Sequence, residues 1–215
     1  SISLLSISPN KAMAGPNVVV TLPYLGEIVR RVAPDAEVSV LVSPNADPHF
    51  ISPTPALMAR VGAADLFVEN GLSLELWTGR LLDGAGNPQI RVGGEGHVFA
   101  SAGVVPMDLP TELTRANGDL HPGGNPHIWF DPLNWGIAAH NIATGLAAIE
   151  PASAQAYFER VEALKSDVWS ALFGDDLTAY MGGELLEGLA RSGELIAFLE
   201  RRGLIDRLGG WMGRA

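Results

Sequence analysis

Short apolar runs alternate with amphipathic stretches along residues 17–92. Four of the runs are rich in β-branched residues or alternate with period two, which is typical of strands, and they cover residues 17–21, 37–42, 65–68 and 89–92. Apolar residues recur at helical spacing in the stretches between them, at 23–32, 55–61 and 73–82. Strands that alternate with helices pair in parallel through right-handed crossovers. The pattern therefore predicts an α/β fold with a mostly parallel sheet of about four strands flanked by helices.

The second half of the chain changes character. Residues 93–124 are glycine-rich, polar and without a period, which predicts a long loop. Apolar residues then return at helical spacing over 134–149. Pro151 opens a further helix over 151–172, which is long enough to cross a domain. Residues 182–203 carry leucine and isoleucine at the spacing of one or two short helices.

Composition narrows the class of protein. The 215 residues are 47% hydrophobic and 18% charged, as expected for a globular chain with a buried core. The formal net charge of −10 argues against nucleic acid or an anionic membrane surface as a partner. This chain contains no cysteine, which excludes thiolate zinc sites, disulfides and a cysteine nucleophile. Its five histidines are therefore the candidate nitrogen ligands for a metal ion.

Two histidines share a local pattern. Asp47-Pro48-His49 follows the predicted strand 37–42, and Asn125-Pro126-His127 repeats the order of polar residue, proline and histidine. Proline restricts its own φ and pushes the preceding residue out of the helical region, so each histidine is predicted to lie on a rigid extended loop. A lone histidine more often packs in a core than binds a metal, but the repetition favours a shared site at the carboxyl edge of the sheet. Two imidazoles on one ion would bring their nitrogens within roughly 3–4 Å.

Further motifs occur in a consistent order around these two. They are Thr54-Pro55, Ala64-Asp65-Leu66, Asn70-Gly71-Leu72-Ser73-Leu74-Glu75-Leu76-Trp77, His127-Ile128-Trp129-Phe130-Asp131-Pro132 and Leu208-Gly209-Gly210-Trp211. With the two Pro-His loops, they make the chain resemble the metal-binding subunit of bacterial ABC importers for zinc or manganese, a group of substrate-binding proteins that includes zinc-uptake and TroA-like members. The resemblance implies a protein that captures a divalent metal ion and delivers it to a membrane permease, without catalysis.

The resemblance also implies a domain order and a site. Its parts would be an N-terminal metal-binding lobe, a linking helix and an incomplete helical start of a second lobe, at residues 15–150, 151–173 and 174–215. His49 and His127 match the first-lobe ligand pair, with zinc favoured over manganese. The second-lobe ligands have no match, because no histidine follows His140. We therefore expect a fragment that holds half of a metal site and binds zinc with micromolar or weaker affinity through two imidazoles alone.

The location implied by the resemblance is the periplasm. Residues 1–14 end in Ala12-Met13-Ala14, which resembles the cleavage site of a secretory signal peptide, so this segment is interpreted as a signal-peptide remnant. A bacterial lipid anchor requires a cysteine, which this chain lacks. The partners implied are the metal ion and the membrane subunit of the permease, and a protein with a complete second lobe would be a monomer.

Other residues are weaker candidates for a role at the metal site. His121 precedes His127 where zinc-type members carry a histidine-rich loop, and it is a candidate accessory metal ligand. Glu75 and Asp131 are candidates for orienting an imidazole through its second nitrogen. A purely structural role is the alternative for Glu75, and capping of the following helix is an equal alternative for Asp131. Trp129 and Phe130 are interpreted as a dry wall of the cleft, with ordinary core packing as an alternative that is compatible with it.

Two other functions remain open. One is a metal-dependent hydrolase that uses His49 and His127 with Asp47 or Glu95, although the chain contains no His-Glu-x-x-His helix. The other is a surface adhesin, since some members of the family also act in cell adhesion. Saturable metal binding without turnover would distinguish a binding protein from a hydrolase.

Overall fold

Four parallel strands form the centre of the fold, in the order β2-β1-β3-β4. The computed structural model describes residues 15–110 and 121–173. The strands are β1 (Asn17–Val20), β2 (Glu37–Val40), β3 (Leu66–Glu69) and β4 (His97–Phe99). The helices are α1 (Pro23–Val32), α2 (Pro55–Gly62), α3 (Thr78–Ala85), α4 (Pro132–Ile149) and α5 (Ala154–Phe173). The predicted α/β fold with a parallel sheet of four strands is confirmed.

β1 is a central strand because both of its edges are paired and its side chains are covered on both faces. It pairs in parallel with β2 and β3, and Val19 lies opposite Ser39 and Phe67. Val18, Val19 and Val20 are completely buried, as expected for a strand between two helical layers. Burial of each valine contributes roughly 1.5–3 kcal/mol, so this short strand anchors the sheet.

Helices cover the sheet in two groups. α2 packs against α3, whereas α1 packs against α4 and α5. From β1 to β2 the chain crosses the sheet toward one edge, and from β2 through β3 to β4 it crosses toward the opposite edge. Right-handed crossovers therefore place α1 on one face and α2 and α3 on the other. The reversal lies beside β1, and ligands in open α/β sheets bind at the carboxyl edge near such a reversal.

The predicted elements differ from the structure mainly at the fourth strand. The strand predicted over residues 89–92 is wrong, because Pro88–Ile90 forms a 3-10 turn. The strand that pairs with β3 is His97–Phe99, inside the segment predicted as a loop. A side chain at Gly94 or Gly96 would meet a backbone carbonyl oxygen at 2.2 or 2.5 Å. These glycines therefore permit close backbone packing.

The helix boundaries follow the prediction more closely, except that the helix predicted over 73–82 spans Thr78–Ala85. α1 begins and ends as predicted, because Pro23 sets its start and Leu25, Ile28 and Val29 are buried on one face. The long helix near 151–172 is confirmed as α5, although its first turn, Pro151–Ser153, is a 3-10 turn. The short helices predicted over 182–203 lie outside the described residues. None of the helices within 15–110 and 121–173 combines the length and the apolar character that a membrane span needs.

Candidate metal centre

Three histidines meet at the carboxyl edge of the sheet. His49 lies in the loop after β2, and His121 and His127 lie in the segment that leads into α4. The ring centres of His49 and His127 are 5.6 Å apart, and that of His121 lies 5.1 Å from His49 and 6.2 Å from His127. All three line an open cleft of about 430 Å³. The two histidines predicted from the Pro-His pattern are thus neighbours, and His121 lies against both.

Both Pro-His loops are built from the same turn. Oδ1 of Asp47 accepts hydrogen bonds from the backbone N–H of His49 at 2.9 Å and from its ring Nδ1 at 2.7 Å. Oδ1 of Asn125 accepts from the same two groups of His127, at 3.0 and 2.9 Å. Aspartate and asparagine commonly bond to the backbone two residues ahead, and the intervening proline restricts the path of the turn. Each turn therefore holds the imidazole as well as the backbone.

These hydrogen bonds determine which ring nitrogen carries the proton. The backbone N–H and the ring of His49 lower the pKa of the Asp47 carboxyl, so its ionised oxygen can only accept. Asn125 presents its oxygen to the backbone N–H of His127, and its amide nitrogen donates to Asp108 at 3.1 Å. Nδ1 is consequently the protonated nitrogen of both neutral rings. Each Nε2 presents a lone pair, which is the form that binds a metal ion.

His121 is held in the same tautomer by a different partner. Its Nδ1 lies 3.1 Å from the carbonyl oxygen of Ser73, which can only accept, so Nδ1 carries the proton. Its Nε2 lies 3.2 Å from Nε2 of His49. The accessory candidate predicted from the sequence is therefore in direct contact with His49, and its ring centre lies 6.2 Å from that of His127.

Hydrogen bonds from the body of the domain fasten the two loops. Trp77, directly before α3, donates its indole N–H to the carbonyl oxygen of Pro48 at 2.8 Å. Asn70, at the end of β3, donates its amide to the carbonyl oxygen of Pro126 at 2.9 Å and accepts from the hydroxyl of Tyr24 at 2.8 Å. The prolines that shape the loops are thus also the points of attachment. This limits the conformational entropy that metal binding would remove.

Glu75 supports the Asn70 attachment rather than an imidazole. Its carboxyl group accepts hydrogen bonds from the hydroxyl of Thr21 at 2.7 Å and from the backbone N–H groups of Asn70 and Gly71 at 2.7 and 3.1 Å. Burial raises the pKa of Glu75 to about 7, repulsion from Glu69 adds to the rise, and the three hydrogen bonds oppose it. Of the two roles predicted for Glu75, a structural one is visible in these contacts, and Glu75 is linked to the His127 loop through Asn70, which donates to Pro126.

The aromatic segment after His127 departs from its prediction. Ile128–Phe130 forms a 3-10 turn rather than an extended loop, and Phe130 is 79% exposed, so it forms no dry wall. Trp129 packs against the core, and its ring centre lies 5.1 Å from that of His127. Of the two roles predicted for Asp131, the structure shows the cap of α4, where its Oδ1 accepts from the backbone N–H of Leu133 at 3.1 Å. Orientation of the His127 ring falls to Asn125.

The surroundings of His127 favour its neutral form. Burial lowers the pKa of His127, repulsion from His49 and His121 lowers it further, and Asp47 opposes the shift. Within the described ranges, no three histidine or carboxylate side chains are arranged to hold an ion without movement. A tetrahedral zinc ion with bonds of 2.0–2.1 Å would place the ring centres about 5 Å apart. His49 and His121 already have this separation, and His127 would have to move closer by up to roughly 1 Å.

The other two histidines lie away from the cluster. His97 is buried in β4, where its Nε2 lies 2.8 Å from Oε1 of Glu69, and the second oxygen of Glu69 accepts from the hydroxyl of Thr78 at 2.6 Å. His140 lies on α4, with its ring centre 5.4 Å from that of Phe158 on α5. Both histidines therefore take part in packing between elements of the fold.

The fold and the histidine cluster together define an α/β lobe with a nitrogen-rich cleft at the carboxyl edge of its sheet. The chain belongs to the family described as zinc-uptake complex component A, periplasmic, whose model matches residues 18–171.

Three relatives illustrate the range of this family. The chain is 30% identical over 155 residues to the iron-binding protein YfeA of Yersinia pestis, a match that covers 68% of this chain and 46% of YfeA. It is 30% identical over 151 residues to the manganese ABC transporter substrate-binding lipoprotein PsaA of Streptococcus pneumoniae, again covering 68% of this chain and 46% of the relative. A solved structure of a ZnuA deletion mutant with zinc bound superposes with a TM-score of 0.60 at 26% identity, covering 72% of this chain and 54% of that one. The chain thus spans about half the length of the relatives it matches.

Proposed function

We propose that this chain is part of an extracytoplasmic, periplasmic binding protein that captures a divalent metal ion and delivers it to an ABC permease. His49 and His127 are the ligands that this lobe contributes. The observation that carries the proposal is the pair of Asx-Pro-His turns, which place two rings 5.6 Å apart with Nδ1 engaged and Nε2 available. Family membership supports the same assignment.

The ligand chemistry favours zinc over manganese. Imidazole nitrogen suits zinc, whereas manganese prefers carboxylate, carbonyl and water oxygen. The names of the three relatives specify iron, manganese and zinc, so family membership alone does not select the metal. The fixed tautomers support the choice, because each ring offers its lone pair without a proton having to move.

Capture and delivery require no catalytic group. The three relatives are named as binding or substrate-binding proteins or by the transport component ZnuA, and none is named as an enzyme. No feature of the described residues favours the hydrolase or the adhesin over a binding protein. An ion that must be passed on also suits an open cleft, because release does not require a buried cavity to open.

The proposal is tested by calorimetric titration of zinc into the purified chain near neutral pH. The parent should show saturable binding of one ion, and the double variant His49→Ala, His127→Ala should lose it. His140→Gln is the matched control, since it removes an imidazole outside the cluster and should leave binding unchanged. Lowering the pH through the imidazole pKa of about 6.5 should weaken binding, because protons compete for the same nitrogens. Equal binding by the parent and the double variant would refute the proposal.

A further inference from the structure

The contact between His49 and His121 has no explanation in the tautomers that their surroundings impose. Asp47 fixes the proton of His49 on Nδ1, and the Ser73 carbonyl does the same for His121. When both rings are neutral, the facing Nε2 atoms, 3.2 Å apart, are both acceptors, and two lone pairs at this distance repel one another. A cation that accepts both lone pairs would turn this contact into an attractive one.

The separation matches what a shared metal ion requires. Two nitrogens bound to one tetrahedral ion at 2.0–2.1 Å lie about 3.4 Å apart. The Nε2 atoms of His49 and His121 meet this distance within a few tenths of an ångström. These residues are 72 positions apart in the chain, so the approach is a product of the fold rather than of a local turn.

Among the described residues, the groups that face this position are imidazole nitrogens. Asp47 is engaged by the backbone and ring of His49, and Asp108 accepts from the amide of Asn125 at the wall of the cleft. Both carboxylates thus hold the turns that orient His49 and His127. Three neutral imidazoles favour zinc, copper, nickel or cobalt over manganese or magnesium, because the harder ions bind oxygen in preference to nitrogen.

We propose that His121 is a third ligand to the ion held by His49 and His127, so that this lobe by itself forms a three-imidazole site selective for zinc-like metals. The inference rests on the proposed function of the His49–His127 pair. It requires the His127 ring to move toward the other two by up to roughly 1 Å, a shift that a surface loop can make. The fourth position of a tetrahedral ion then stays open to water or to a group from elsewhere in the protein.

The test compares His121→Ala with the parent and with the two variants used above, on the 215-residue chain. Zinc affinity is measured by competition with a chromophoric chelator, and the number of imidazoles on the bound ion by X-ray absorption at the zinc edge. His121→Ala should lower zinc affinity by at least about ten-fold, since loss of a partner that merely orients a ligand already costs 10–100-fold. The imidazole count should fall from three to two, and the preference for zinc over manganese should shrink. Far-UV circular dichroism checks that the variant is folded.

The outcomes separate the two proposals. An unchanged affinity in His121→Ala, with binding lost in the His49→Ala, His127→Ala double variant, would overturn the third ligand and leave the proposed function in place. A count of two imidazoles in the parent would also overturn it, even if His121→Ala binds more weakly. Unchanged binding in all variants would overturn both proposals.

Discussion

Replacement of Glu75 by glutamine should change how stability depends on pH. Burial raises the pKa of this carboxyl from 4.5 to about 7, so between these values the folded chain keeps a proton that the unfolded chain has lost. Raising the pH through this window therefore destabilises the parent, by 1.36 kcal/mol per pH unit. Across the whole window, the contribution of Glu75 lowers the free energy of unfolding by about 3 kcal/mol. Glutamine does not titrate, so Glu75→Gln should lack this loss.

The assay is urea unfolding of the apo chain in a chelator, followed by far-UV circular dichroism from about pH 4.5 to about pH 7.5. The quantity of interest is the difference in unfolding free energy between variant and parent. It should move by about 3 kcal/mol in favour of Glu75→Gln as the pH rises, whatever its offset at low pH. His127 is present in both proteins, so its contribution, which has the opposite sign below pH 6.5, cancels in the difference. If the unfolding free energies of the parent and Glu75→Gln changed in parallel with pH, the three donors would be keeping Glu75 ionised and its raised pKa would be refuted.

Two further predictions concern the hydrogen bonds of Asp47 and Asn125 to the histidine rings and the packing of glycines. Asp47→Ala and Asn125→Ala should each lower zinc affinity by about 10–100-fold, because each removes the oxygen that orients a histidine ring. Asp47→Asn keeps an accepting oxygen and should recover most of the loss. Equal zinc affinities for Asn and Ala at position 47 would show that this hydrogen bond does not orient His49. Gly145→Ala should destabilise the chain by about 1–3 kcal/mol, because its Cβ would meet Val98 at 2.4 Å. Gly79→Ala is the matched helical control: nothing lies within 4 Å of its Cβ, so thermal unfolding should show a gain of about 0.5–1 kcal/mol.

The parts of the fold that the sequence predicts well are those whose causes are local. α1 follows from Pro23 and from apolar residues at helical spacing, and both signals act within one or two turns. β4 has no such signal, because three residues become a strand only by pairing with β3. The need for glycine at the positions before β4 also depends on contacts with distant parts of the chain. Their Cβ positions are blocked by Gln89 and Asp65, which only the folded chain brings there.

The candidate site also has features that local sequence predicts and features that depend on the folded chain. The repeated Asx-Pro-His pattern is local, and it was sufficient to predict that His49 and His127 share one edge of the sheet. The pattern also contains Asp47 and Asn125 two residues before each histidine, but only the structure shows that each of them bonds the ring of its histidine. The place of His121 depends on its contact with the Ser73 carbonyl, 48 positions away in the chain. No local pattern specifies that contact.

The most direct test of the central claim is to locate the metal. Crystals of the chain grown with zinc, measured on both sides of the zinc absorption edge, would place the ion by its anomalous scattering. The account predicts a single strong peak about 2.0–2.1 Å from Nε2 of both His49 and His127. A peak elsewhere, for example beside the buried His97–Glu69 pair, with none at the His49–His127 pair, would contradict it.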